Sequence, residues 1–121
     1  MSFDIVLQRF MHGEPAAADS VAVLGALEPY AAHDQTMLLA ADGDAAIYGL
    51  DDPSAGHLMI NHAGGLDIWD VIYELARVAG FVIMPIGCGT LVPDAELIPH
   101  LPRELPEPIL QVFSGRMSSQ Q

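Results

Sequence analysis

Apolar and polar positions divide the chain into short segments, some rich in β-branched residues and some apolar at every third or fourth place. Phe3 to Phe10, FDIVLQRF, mixes β-branched and aromatic residues and stops at His12-Gly13-Glu14-Pro15, which reads as a first strand closed by a turn. Pro15 opens an alanine-rich run in which Ala17, Val21, Leu24 and Leu27, or Val23 and Leu27, recur at helical spacing until Pro29 forbids continuation; the spacing predicts a helix over about 15–28. Thr36 to Ala41 and Ala45 to Leu50 are apolar runs joined by Asp42-Gly43-Asp44, and an Asp-Gly pair between such runs favours a tight antiparallel hairpin. A polar loop from Asp51 to Gly56 precedes a further short strand, His57 to His62.

The sharpest pattern follows, where Gly64-Gly65-Leu66 leads into DIWDVIYELARVAG with Ile68, Val71, Ile72, Leu75, Ala76 and Ala79 along one helical stripe. Asp67 is placed to cap this helix; Asp67 and Asp70 meet the positive end of its dipole, Arg77 the negative end, and Gly80 stops it. Phe81 to Ile86 reads as a strand covered on both faces and ended, or held at an edge, by Pro85. The proline-rich stretch from Pro93 to Leu105 leaves room for one helical turn, Asp94 to Ile98. Pro108 to Phe113 is a last strand, and Ser114 to Gln121 is expected to fray. The order β-α-β-β-β-α-β-β predicts an α+β fold: one domain over 1–121, a single mainly antiparallel sheet of about five to six strands, and two helices packed on one face.

Composition sharpens this picture on one point. The chain has 121 residues, 51% hydrophobic and 17% charged, enough to bury a core without staples, yet its formal charge is −12. Lysine is absent, the arginines stand only at Arg9, Arg77, Arg103 and Arg116, and the interval from Phe10 to Ala76 holds many acids and no basic residue but histidine. Such a field repels phosphate backbones, so nucleic acid is not expected as a partner; it either keeps an alanine- and leucine-rich chain soluble or steers a basic protein onto it. No run of about 18 apolar residues suggests a membrane span. The single cysteine, Cys88, forms no intramolecular disulfide, and the start MSFDIVLQRF lacks a basic-then-apolar leader, so the cytoplasm is the expected compartment.

Candidate chemistry is sparse. Cys88, in Gly87-Cys88-Gly89-Thr90 after a strand, is either a small buried hydrophobe or a nucleophile needing a histidine, with His62 and His100 the best placed. Gly87-x-Gly89 lacks the third glycine of a dinucleotide fingerprint, Val92 standing in its place. His57, His62, Cys88 and His100 could supply zinc ligands, but His57 and His62 would face opposite sides of one strand, and neither Cys-x-x-Cys nor His-Glu-x-x-His occurs. Asp42, Asp44, Asp51 and Asp52 lack the order of a calcium loop. Neither metal nor cofactor is expected. Asp67, Asp70 and Glu74, on successive helical turns, are either an acid–base cluster or a solvated helix start. Trp69 either packs under a loop or presents an aromatic anchor to a partner.

The stretch LDIWDVIYELARVAGFVIMPIGCGTLVPDAELIPHLPREL, with the opening Phe3, Asp4, Leu7, Gln8, Arg9 and Phe10, resembles a family of small actinobacterial-type α+β proteins. The resemblance rests on Asp67, Glu74, Leu75, Ala76, Arg77, Ala79 and Gly80 in the helix and on Met84, Pro85, Gly87, Cys88, His100, Leu101 and Pro102 after it. Relatives carry a second cysteine near the Pro-x-Gly-Cys turn, where this chain has Gly89 and Thr90. Acidic single-domain proteins of this kind resemble immunity proteins that neutralise polymorphic or contact-dependent toxins. That resemblance implies a non-enzymatic inhibitor that occludes a cognate basic toxin's active site. The expected partner-binding residues are Asp42, Asp44, Asp51, Asp52, Asp67 and Asp70, with Trp69 or Tyr48 as the anchor. The competing expectation is a small enzyme or ligand-binding domain centred on Cys88 and a histidine.

Overall fold

The structure, a computed structural model, describes residues 3–32, 36–105 and 107–112. The elements are β1 (Phe3–Met11), β2 (Glu14–Pro15), α1 (Ser20–Leu27), β3 (Ala31–Ala32), β4 (Met37–Leu39), β5 (Asp44–Tyr48), β6 (His57–Ala63), α2 (Leu66–Ala79), β7 (Phe81–Pro85), β8 (Thr90–Val92) and β9 (Ile109–Gln111). Short 3-10 turns cover Pro53–Ala55 and Ala95–His100. One sheet runs β3-β4-β5-β6-β1-β7-β8-β9, with β2 paired to β1 beside it; every described pairing is antiparallel except β8 with β9. The fold is thus α+β with a mostly antiparallel sheet.

Period-2 alternation decides which side chains meet the helices. Ile47, Ile60 and Ile5 lie in register across β5, β6 and β1, and Leu58, Leu7, Ile83 and Leu91 across β6, β1, β7 and β8. All seven are buried, as are Ile68, Ile72 and Leu75 of α2 and Val23 and Leu27 of α1, which join them in one core. The two helices pack on each other and on this face.

Among the described residues, nine strands replace the five to six expected from the sequence. The additions, β2, β3 and β8, are two or three residues long, too short to show a period. The helix expected over 15–28 is the second correction: α1 begins at Ser20. Glu14 and Pro15 instead turn back on Met11 and Phe10, and backbone bonds from Ala16 to the Arg9 carbonyl and from Ala18 to the Ser54 carbonyl hold the following residues extended. Asp19 then caps the helix, its carboxylate accepting the Val21 and Ala22 N–H groups at 2.9 and 3.4 Å. Val23 and Leu27 are the buried pair, whereas Val21 is 78% exposed. The last strand ends at Gln111; Phe113 and the tail 114–121 lie outside the described residues.

The opposite face of the sheet is covered only in part. The 3-10 turn Ala95–His100 lies against β1 and β8, with His100 Nδ1 accepting the His12 N–H at 3.2 Å and the His100 carbonyl the Gly13 N–H at 2.9 Å. Farther along, Tyr48, Met59, Val6 and Met84 stand in register across β5, β6, β1 and β7, pointing away from the helices.

Candidate binding site: an acidic cleft beside α2

The first turn of α2 leaves its N–H groups without intrahelical acceptors, and its N-cap, Gly65, has no side chain to offer them. Asp42, in the β4–β5 turn, supplies the acceptors: Oδ2 takes the Leu66 N–H at 3.2 Å and Oδ1 the Asp67 N–H at 3.0 Å. The expectation that Asp67 caps its own helix is therefore corrected, because Asp67 lies inside the helix and contributes an N–H to the cap. Close approach permits the arrangement, since a Cβ on Gly43 would overlap the Gly64 carbonyl.

With the cap supplied from elsewhere, the Asp67 carboxylate is left to line a cleft. This cleft, about 410 Å³, is bounded by Asp67, Asp70, Val71 and Glu74 of α2, by Ala26, Pro29 and Tyr30 at the end of α1, and by Ala40 and Ala41 after β4. Glu74 is engaged by Arg77: Nε donates to Oε2 at 3.1 Å and Nη2 to Oε1. That hydrogen bond holds the Glu74 carboxyl below the usual glutamate range, outweighing the opposing effect of burial, and the guanidinium charge adds a smaller lowering. Asp67 and Asp70 form no ion pair among the described residues. The cleft thus offers a mostly apolar floor with two uncompensated carboxylates on one wall.

Strand direction separates the other expected site residues. Asp44 is exposed at the start of β5, at the same end of the sheet as Asp42 and the α2 N-terminus. Asp51 and Asp52 are exposed beyond the far end of β5, where Asp52 Oδ1 accepts the Ser54 hydroxyl at 2.9 Å. The six aspartates therefore fall into two groups at opposite ends of the sheet. Tyr48 is 56% exposed on the face away from the helices. Trp69 is corrected as an anchor: it is 4% exposed within the core, so its ring is already spent on folding.

Cys88 is half-buried in the turn after β7, beside a hollow of about 350 Å³ lined by Val6, Met84, Pro85, Ile86 and Gly87. His100 lies at the other end of β8, its ring 4.9 Å from that of His12 in an edge-to-face pair, so the structure does not bring it to the thiol. His62 holds a left-handed φ of 58°, with its N–H bonded to Asp4 Oδ1 at 3.1 Å. Among the described residues, no three His, Cys, Asp or Glu side chains converge as metal ligands, and no helix is long and apolar enough to cross a membrane.

Sequence reasoning singled out the acids of α2 but missed Tyr30, Ala40 and Ala41 opposite them. Pro29 was the available signal, since it ends α1 and turns the chain toward β4. No protein-family model matches the chain, and no curated protein or solved structure is significantly similar to it.

Proposed function

We propose that the chain is a protein-binding inhibitor that holds a basic protein through the acidic cleft beside α2, in the manner of an immunity protein occluding a toxin's active site. The observation that carries this reading is the pairing of the Asp67 and Asp70 carboxylates with a floor of alanine, proline, valine and tyrosine in one concavity. An arginine or lysine side chain has the matching form, an apolar stem with a charged head, and an arginine fork can bond a carboxylate through two parallel N–H groups. The formal charge of −12 adds long-range attraction, which raises association rates and falls with salt. Asp44, on the sheet face away from the helices, and Asp51 and Asp52, at the other end, contribute to the field and not to the cleft.

The test is affinity capture from the source lysate at low and then high salt, using wild-type bait and an Asp67→Asn/Asp70→Lys bait. The expected result is one basic protein held stoichiometrically by wild type, released by salt and lost with the variant, its toxicity or enzymatic activity suppressed by wild type alone. Equal capture by both baits removes the cleft from the mechanism.

A further inference from the structure

We propose that the part of the sheet face opposite the helices left open by the described residues is a second docking surface, and that its occupant is an amphipathic helix of a basic protein, with an apolar stripe flanked by lysine or arginine. Three observations meet on this face. The first is the row Tyr48, Met59, Val6 and Met84, continuous across four hydrogen-bonded strands. Ile86, 63% exposed, extends it into the apolar hollow beside Cys88. Four adjacent strands span about 14 Å, room for one helix of about 10 Å diameter.

The second observation is charge. Asp44 and Asp4, both exposed, stand on the outward-facing positions at one end of β5 and β1, and Asp51 and Asp52 follow β5 at the other. Among the described residues no ion pair engages them, and the only arginine in β1, β4, β5, β6 or β7 is Arg9, whose guanidinium turns to the other face to bond the Ala17 carbonyl at 2.8 Å. An apolar centre with an acidic rim is the complement of an apolar stripe with basic flanks.

Third, the charge of −12 argues against the other occupants: a second copy would press acidic rim on acidic rim, and an anionic bilayer would be repelled. The surface is independent of the cleft beside α2, which lies on the helical side of the sheet.

The experiment titrates the full chain, at low ionic strength, with three labelled helical peptides of equal length: Leu/Lys with an apolar stripe, Ser/Lys with the same charge and no stripe, and Leu/Glu. Binding is read by anisotropy and mapped by backbone chemical shifts. The expected result is at least tenfold tighter binding of Leu/Lys than of either control, with shifts on β5, β6, β1 and β7. Tyr48→Ser/Met84→Ser, checked for an unchanged spectrum, should weaken it at least tenfold, and Asp70→Lys only by its general charge effect. Equal binding of Leu/Lys and Ser/Lys, shifts confined to α1 and α2, or a salt-stable dimer broken by Tyr48→Ser each overturn the proposal, the last in favour of a second copy.

Discussion

Asp42 Oδ1 accepts the backbone N–H of Asp67 at 3.0 Å, across 25 residues of chain. The bond ties the β4–β5 turn to the start of α2, with the Leu66 N–H bound to the other carboxylate oxygen. Asp42→Ala removes both acceptors and leaves the first turn of α2 to water; a loss of about 1–2 kcal/mol is expected. Asp42→Asn retains an acceptor and should cost less. Denaturant unfolding of both variants checks the order, and equal losses would show that the cap contributes through charge alone.

Two glycines should respond oppositely to alanine. Gly56 has φ +77°, and an added Cβ would overlap the Ala16 carbonyl, so Gly56→Ala should cost at least about 2 kcal/mol. Gly25 lies inside α1 with nothing within reach of a Cβ, so Gly25→Ala should stabilise by roughly 0.5–1 kcal/mol. Melting temperatures moving in the same direction for both would contradict the backbone described for one of them.

The Glu74–Arg77 pair fixes one pH dependence. Bonded by Arg77, the Glu74 carboxyl titrates below its unfolded value, so its contribution is present above the ordinary glutamate range and is lost as pH falls through the lowered folded value. The effect is small, because both side chains are about half exposed. Carbon-detected titration should place the Glu74 midpoint below that of an unperturbed glutamate, and Arg77→Gln should return it to the ordinary range.

Trp69 is the only tryptophan, and its burial makes it a reporter of folding. Its emission should be blue-shifted and shielded from iodide in the native chain and should shift red on unfolding. Trp69→Ala should cost about 3–5 kcal/mol. Strong iodide quenching of the folded protein would return Trp69 to the surface.

Sequence alone made α2 legible, because stripe, dipole charges and terminal glycine agree within 14 residues. For α1 the proline that suggested a start belongs to a hairpin, and the decisive signal, Asp19, competed with apolar spacings of equal quality. The strands β2, β3 and β8 are set by their partners more than by any pattern of their own. The site was half legible: Asp67 and Asp70 stood out by charge, but the opposite wall comes from α1 and the segment after β4, distant in sequence. Asp42 looked like turn chemistry because nothing local reveals a bond to residue 67. Asp51 and Asp52 looked like neighbours of Asp42 until β5 carried them to the other end.

β1 precedes both of its main partners yet is a central strand: it lies between β6 and β7, so its two long pairings require residues 57–63 and 81–85. During synthesis, FDIVLQRF therefore emerges well before either partner exists, with its apolar side chains and both hydrogen-bonding edges unfilled. It must wait until residue 85 has been made, and that interval is when the protein is most open to pairing with a neighbour's strand or to being held by a chaperone.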